Sequence, residues 1–170
     1  MKEYDLNRLL TSPEVVYEKI NSFLTDQTII KGPISSEEIK GHLLKAENNL
    51  RFVQENIRLN FIDWAITGCY YASYHAALSL ILTKGYSSKN HLATLCVLVK
   101  EFYKNGLDKD DFQMLASFLD YEDVLFYVES KNKREDATYS TQMLFEKKEA
   151  EQLRIKAALF VAKIRGILKD

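Results

Sequence analysis

The sequence predicts an all-α protein: an up-and-down bundle of four to five long helices with a short helical arm at the N-terminus. Three observations lead there. Apolar residues recur at three- and four-residue steps along most of the chain, which is the spacing of one helix face. Only two prolines and six glycines interrupt 170 residues, too few turn formers for a strand-rich fold. Apolar residues at 46% and charged residues at 28% describe a chain that folds around a core. The length fits one domain with a small appendage.

Each element has its own signals. Lys2 to Leu10 reads as a short helix. Ser12-Pro13 starts a second one, running to about Leu24: serine can accept from free N–H groups, and proline fits the first helical position. "TDQTIIKGP" then reads as a linker ending at Gly32-Pro33, so residues 1–34 are expected as an arm outside the main fold and 35–170 as the bundle. Ser35 and Glu38 have capping-box spacing. Behind them Ile39, Leu43, Ala46, Leu50, Val53 and Ile57 form one apolar stripe on a helix of about two dozen residues. Its other face, with Lys40, Lys45, Glu47, Arg51, Glu55 and Arg58, reads as solvated.

The next helix spans about Asp63 to Lys84, with Gly85 as its stop. It is apolar almost all round, which places it at the centre of the bundle or at a subunit contact. Phe61 to Leu82 is long enough to cross a bilayer, but Asp63, His75 and three tyrosines make it a core helix instead. A further helix opens near Ser88, carries Leu92, Leu95, Cys96, Val99 and Phe102 inward, and closes at Lys104 to Gly106. Another follows from Asp108, whose carboxylate can cap it, with Phe112, Leu115, Phe118, Leu119, Val124 and Leu125 as its stripe. "VLFYV" at 124–128 has strand-like composition, but no partner strand is visible, and helix is preferred. Glu129 to Ser140 is a polar break, and a last helix is expected from about Thr141 to Leu168.

Charge and motifs narrow the function. A net charge of −1 argues against bulk binding of duplex DNA, which relies on phosphate neutralisation. Cys69 and Cys96 lie in apolar runs without zinc-type spacing and read as buried thiols in a reducing cytoplasm. His42, His75 and His91 show neither HxxxH nor HExxH spacing, and no phosphate-loop, dinucleotide-binding or hydrolase-elbow motif occurs. No metal and no cofactor are expected.

Two segments remain as site candidates. At about 100° per residue, Asp63, Thr67, Tyr70 and Tyr74 share one face of the central helix, flanked by Tyr71 and His75. Ala65, Gly68, Ala72, Ala76 and Ser79 form the opposite, small face, which suits close approach of another helix. Buried phenols need partners, so the tyrosines either tie helices together or line a cleft. The expectation is structural at the buried end and cleft-lining near Tyr70 and Tyr74. The second candidate is the polar break. Lys131, Lys133 and Arg134 cluster there, and a guanidinium beside a helix start can fork onto a phosphate. Glu135 and Asp136 can instead neutralise the cluster.

"CYYASYHAALSLILTKG", "KNH", "FYKNG" and "REDATY", in that order, resemble the HEPN domain (higher eukaryotes and prokaryotes nucleotide-binding) over about residues 36–168. The matching pieces are Tyr70 to Ala76, Gly85, Asn90-His91 and Arg134 to Tyr139. The resemblance implies a helical bundle, commonly a homodimer, and often a partnership with a small nucleotidyltransferase as toxin and antitoxin. It also implies, for many members, a metal-independent RNase built on an Arg and a His with four to six residues between them. Counting from Arg134, those positions hold Tyr139, Ser140 and Thr141, so the catalytic His carries over to nothing. The expected function is therefore binding of a nucleotide, RNA or a nucleotidyltransferase partner through Arg134, Tyr139, Tyr70, Tyr74, Lys131 and Lys133, without that RNase activity. Two alternatives stand beside it. One is an RNase that pairs Arg134 with a displaced His91 or His75; the other is a purely structural homodimer. Tyr139 is also a candidate nucleotide acceptor in such a pairing.

Overall fold

The computed structural model describes residues 3–120 and 145–169. Among them the chain forms seven helices: α1 (Glu3–Thr11), α2 (Pro13–Thr25), α3 (Ser36–Arg58), α4 (Ile62–Leu82), α5 (His91–Phe102), α6 (Lys109–Asp120) and α7 (Lys147–Ile167). Two three-residue strands, β1 (Ile29–Lys31) and β2 (Tyr86–Ser88), complete it. The architecture is the all-α bundle that the apolar periodicity predicts.

Local chemistry sets most boundaries. Ser35 takes up the Glu38 N–H at 3.2 Å and starts α3, the half of the capping box that satisfies a free donor. Ser12 precedes Pro13 as expected, but its hydroxyl turns to Glu14 (3.3 Å) rather than to a free N–H. Asp108 caps α6 by accepting from the amides of Asp110 (2.9 Å) and Asp111 (3.2 Å). The last helix begins at Lys147, later than the expected Thr141, because Glu146 is extended. "VLFYV" lies outside the described residues.

α4 is the centre. It touches α3, α5, α6 and α7, and Ile66, Leu80 and Ile81 on it are wholly buried. Burial of each such side chain contributes about 1.5–3 kcal/mol relative to exposure. Its small face works as the composition suggests: Gly68 lies against Val53 and Phe52 of α3, where a Cβ would meet Val53 Cγ2 at 2.6 Å. On α7 the buried residues are Ala150, Leu153, Ala157, Phe160, Val161 and Ile164.

The N-terminal arm is fastened to the bundle. α2 packs on α5, and α1 on α5 and α6, so that Leu6, Leu9, Val16 and Ile20 are buried in the common core. The segment expected as a plain linker contains β1, paired antiparallel with β2 through Ile29↔Ser88, Ile30↔Ser87 and Lys31↔Tyr86. Strands of three residues show no alternation to read, and the partner lies far along the chain. Ser88, expected near the start of a helix, therefore sits in β2, and Asn90 caps α5 instead, accepting from the Ala93 amide at 2.9 Å.

Gly85 joins these parts. Its φ of +72° ends the turn after α4, and a Cβ there would stand 2.7 Å from the Gly32 carbonyl oxygen. The Gly32 amide donates to the Gly85 carbonyl at 2.9 Å, closing the ribbon. Among the described residues no helix is long and apolar enough to cross a membrane.

Candidate functional site

The polar tips of α4 meet groups from three other helices. Tyr70 is 8% exposed, and its hydroxyl lies against the edge of the His91 ring, 2.5 Å from Nε2 and 3.1 Å from Nδ1. His91 is the first residue of α5, so the Asn90 cap fixes where its ring begins. Tyr74, one turn after Tyr70, stacks parallel to it at 6.1 Å and lies 4.1 Å from His91 between ring centroids. Phe118 of α6 closes the far side, edge-on to Tyr70 at 5.9 Å. Thr67, on the same face, donates to the Asp63 carbonyl at 3.0 Å and stays within its own helix.

A second contact lies beside this one. His75 Nδ1 stands 2.9 Å from Nδ1 of His42 on α3. Between two such nitrogens only one can carry the proton, since two N–H groups would face each other. Burial, reinforced by His42 and Lys45, pushes His75 down to about 4. His42 is also held below its ordinary value, by burial and then Lys45, with Glu38 opposing. Both rings are therefore neutral at pH 7.

Two hollows flank the cluster. A small cavity of about 30 Å³, floored by Ala77, Leu95 and Leu98, is lined by Tyr70, Tyr74 and His91. An open groove of about 740 Å³ runs between the ribbon, the start of α3 and the second half of α4. Tyr74, His42, Glu38 and Asn90 are on its walls. Tyr74 is the residue common to both.

Sequence reasoning singled out Tyr70, Tyr74, His75 and His91, and the fold brings these four into one aromatic cluster. Tyr70 is nearly buried and spends its hydroxyl on His91, while half-buried Tyr74 borders open space. His42 was not selected. Its signal was its place three residues after Ile39 and four before Ala46, at the edge of the buried stripe of α3. Arg134, Tyr139, Lys131 and Lys133 lie outside the described residues. Burial pushes the thiols up, Cys69 to about 12 and Cys96 to about 11, so neither is a nucleophile at neutral pH.

The family model for the HEPN domain matches residues 39–167. The chain belongs to the HEPN family. That match takes in α3 to α7, with all three histidines, and leaves out α1, α2 and β1. Two proteins of Methanocaldococcus jannaschii, each named "putative toxin", are similar to this HEPN chain. One is 30% identical over 132 residues, covering 77% of this chain and 82% of the relative. The other is 28% identical over 134 residues, covering 79% and 91%. A UPF0332 protein of Archaeoglobus fulgidus is 26% identical over 84 residues, 49% of this chain and 67% of the relative.

Proposed function

We propose that this HEPN protein is a toxin-like module that holds a nucleotide or single-stranded RNA against Tyr74 and His91, without the RNase chemistry of the Arg-to-His motif. The observation that carries this reading is the position of Tyr74. Its ring, half-buried and tilted by 50° against His91, borders an open groove on one side and an apolar cavity on the other. Bases stack on such rings whatever their sequence, for about 1–3 kcal/mol each. Tyr70 supports the stack from behind. Arg134, with Lys131 and Lys133, is the proposed phosphate anchor, and Tyr139 remains a proposed nucleotide acceptor. A homodimer and a nucleotidyltransferase partner belong to the same proposal, as does a cytoplasmic location.

The test is fluorescence anisotropy with a labelled single-stranded RNA and with mononucleotides at matched salt. Tyr74→Ala and Arg134→Ala are each expected to weaken binding about tenfold or more, with Tyr74→Phe close to the parent. Parent-like binding by both alanine variants, or no binding by the parent, overturns the reading.

One observation favours a second reading, an RNase with a displaced histidine. His91 and His75 both sit in the tyrosine cluster, and His91 is within hydrogen-bond reach of a phenol. A neutral imidazole in a polar contact can take up a proton. RNA left intact by the parent chain, with and without Mg²⁺, ends this reading. Cleavage that survives His91→Gln and His75→Gln ends it too.

A further inference from the structure

His42 and His75 come from different helices and aim the same ring nitrogen at one point, Nδ1 to Nδ1 at 2.9 Å with the rings tilted by 35°. Two lone pairs converging in this way are satisfied by one shared proton or by one cation. Imidazole in its neutral form is the commonest protein ligand for transition metals. A tetrahedral ion with metal–nitrogen bonds of about 2.0–2.1 Å sets its two nitrogens about 3.3 Å apart. The observed pair is about 0.4 Å closer than that, a gap that small rotations of two half-buried rings supply.

We propose that His42 and His75 form a two-histidine site for a divalent first-row transition metal of the Zn²⁺ and Ni²⁺ class, open to the groove beside the ribbon. The site is independent of the nucleotide-binding proposal, and either can fail without the other.

The donor set selects the ion. Two neutral nitrogens suit zinc, nickel, cobalt and copper, whereas magnesium and calcium require oxygen donors. The 2.9 Å contact holds one proton between the two Nδ1 atoms, so an ion bound to both takes that proton's place as it moves to a ring's Nε2 or to solvent. The charged and titratable neighbours pull in opposite directions: Lys45 on α3 disfavours a cation and Glu38 on α3 favours it. From α4, Tyr71 and Tyr74 face the His75 ring.

Among the described residues no three of His, Cys, Asp and Glu gather in a metal-holding arrangement. Within the described residues the pair therefore gives two protein ligands. His42 is on the wall of the 740 Å³ groove, so water, or donor atoms of a molecule in the groove, fill the other positions. Such a site is exchangeable and weaker than a closed four-ligand one.

The test uses the tag-free full chain, stripped with chelator and titrated calorimetrically with Zn²⁺, Ni²⁺ and Mg²⁺ at pH 7. One equivalent of Zn²⁺ or Ni²⁺ and no Mg²⁺ is expected. His42→Gln and His75→Gln should each weaken binding by more than the roughly tenfold that loss of an outer partner costs. His91→Gln should leave it unchanged. A second measurement covers the case of a variant that does not fold. In the parent chain, Zn²⁺ should shift the imidazole ¹⁵N resonances of His42 and His75 and leave those of His91 in place. No binding at about 1 mM Zn²⁺, equal binding of Mg²⁺, binding that survives both substitutions, or a shift confined to His91 overturns the proposal.

Discussion

Gly68→Ala tests the contact on which the position of α3, and so of His42, depends. A Cβ at residue 68 would stand 2.6 Å from Val53 Cγ2 and 3.0 Å from Phe52 Cδ1. Ordinary carbon contacts lie near 3.5–4.0 Å, so Val53 must retreat by about 1 Å. Val53 is wholly buried and, being β-branched, is stiff about χ1. Overpacking of this kind costs about 1–3 kcal/mol, and a stiff neighbour puts the cost in the upper half of that range. Replacing glycine by alanine inside a helix recovers about 0.8–1.0 kcal/mol. The net expectation is a loss of about 1–2 kcal/mol, or a fall in Tm of roughly 3–8 °C for a chain of this size. Urea unfolding followed by circular dichroism measures it. Gly41→Ala is the control: the same helix-forming change on α3, with nothing within 4 Å of the new Cβ, should stabilise by up to about 1 kcal/mol. Adding Val53→Ala to Gly68→Ala should give a favourable coupling. A Gly68→Ala variant as stable as the parent would refute the close approach of α3 to α4.

Three further outcomes follow from the same geometry. His75 falls from 6.5 to about 4 on folding, so between those values the unfolded chain binds more protons, and metal-free stability drops as pH falls through that window. The full linkage between pH 7 and pH 5 is about 2 kcal/mol, and because the ring is only partly buried the expected loss is about 1 kcal/mol; urea midpoints at those two pH values measure it, and a decline of the same size in His75→Gln would contradict the assignment. Asn90→Ala removes the cap of α5 and should cost about 1 kcal/mol, with a changed chemical shift for the His91 ring; an unaltered shift would show that the cap does not place His91. Cys69 and Cys96 should resist iodoacetamide at pH 8 and react together once urea unfolds the chain, since burial holds both thiols protonated; rapid alkylation of the native protein would place them at the surface.

Much of the fold was legible because helix signals are local. Ser35, Asp108 and Gly85 mark boundaries through groups a few residues away, and the stripe from Ile39 to Ile57 needs only the helical repeat to be seen. The even apolarity of α4 located the centre. The ribbon escaped notice because Ile29-Ile30-Lys31 is too short to show a period and its partner at Tyr86 lies beyond a whole helical hairpin. The site was half legible. Tyr70 and Tyr74 stood out as phenols on an apolar helix, and His91 as the opening residue of the next one.

His42 shows where local information stops. Within α3 it is an unremarkable ring at the edge of a stripe, and its contact with His75 spans 33 residues of sequence. Composition and periodicity determined that this chain makes helices, which faces of them are apolar, and which one is central. Which histidine meets which, and which tyrosine borders open space, was decided by the tertiary structure. The physical reason is that those contacts depend on how closely and in what rotation α3, α4 and α5 cross. That is set by side chains such as Gly68 and Val53 packing against each other, and it leaves no period in either helix alone.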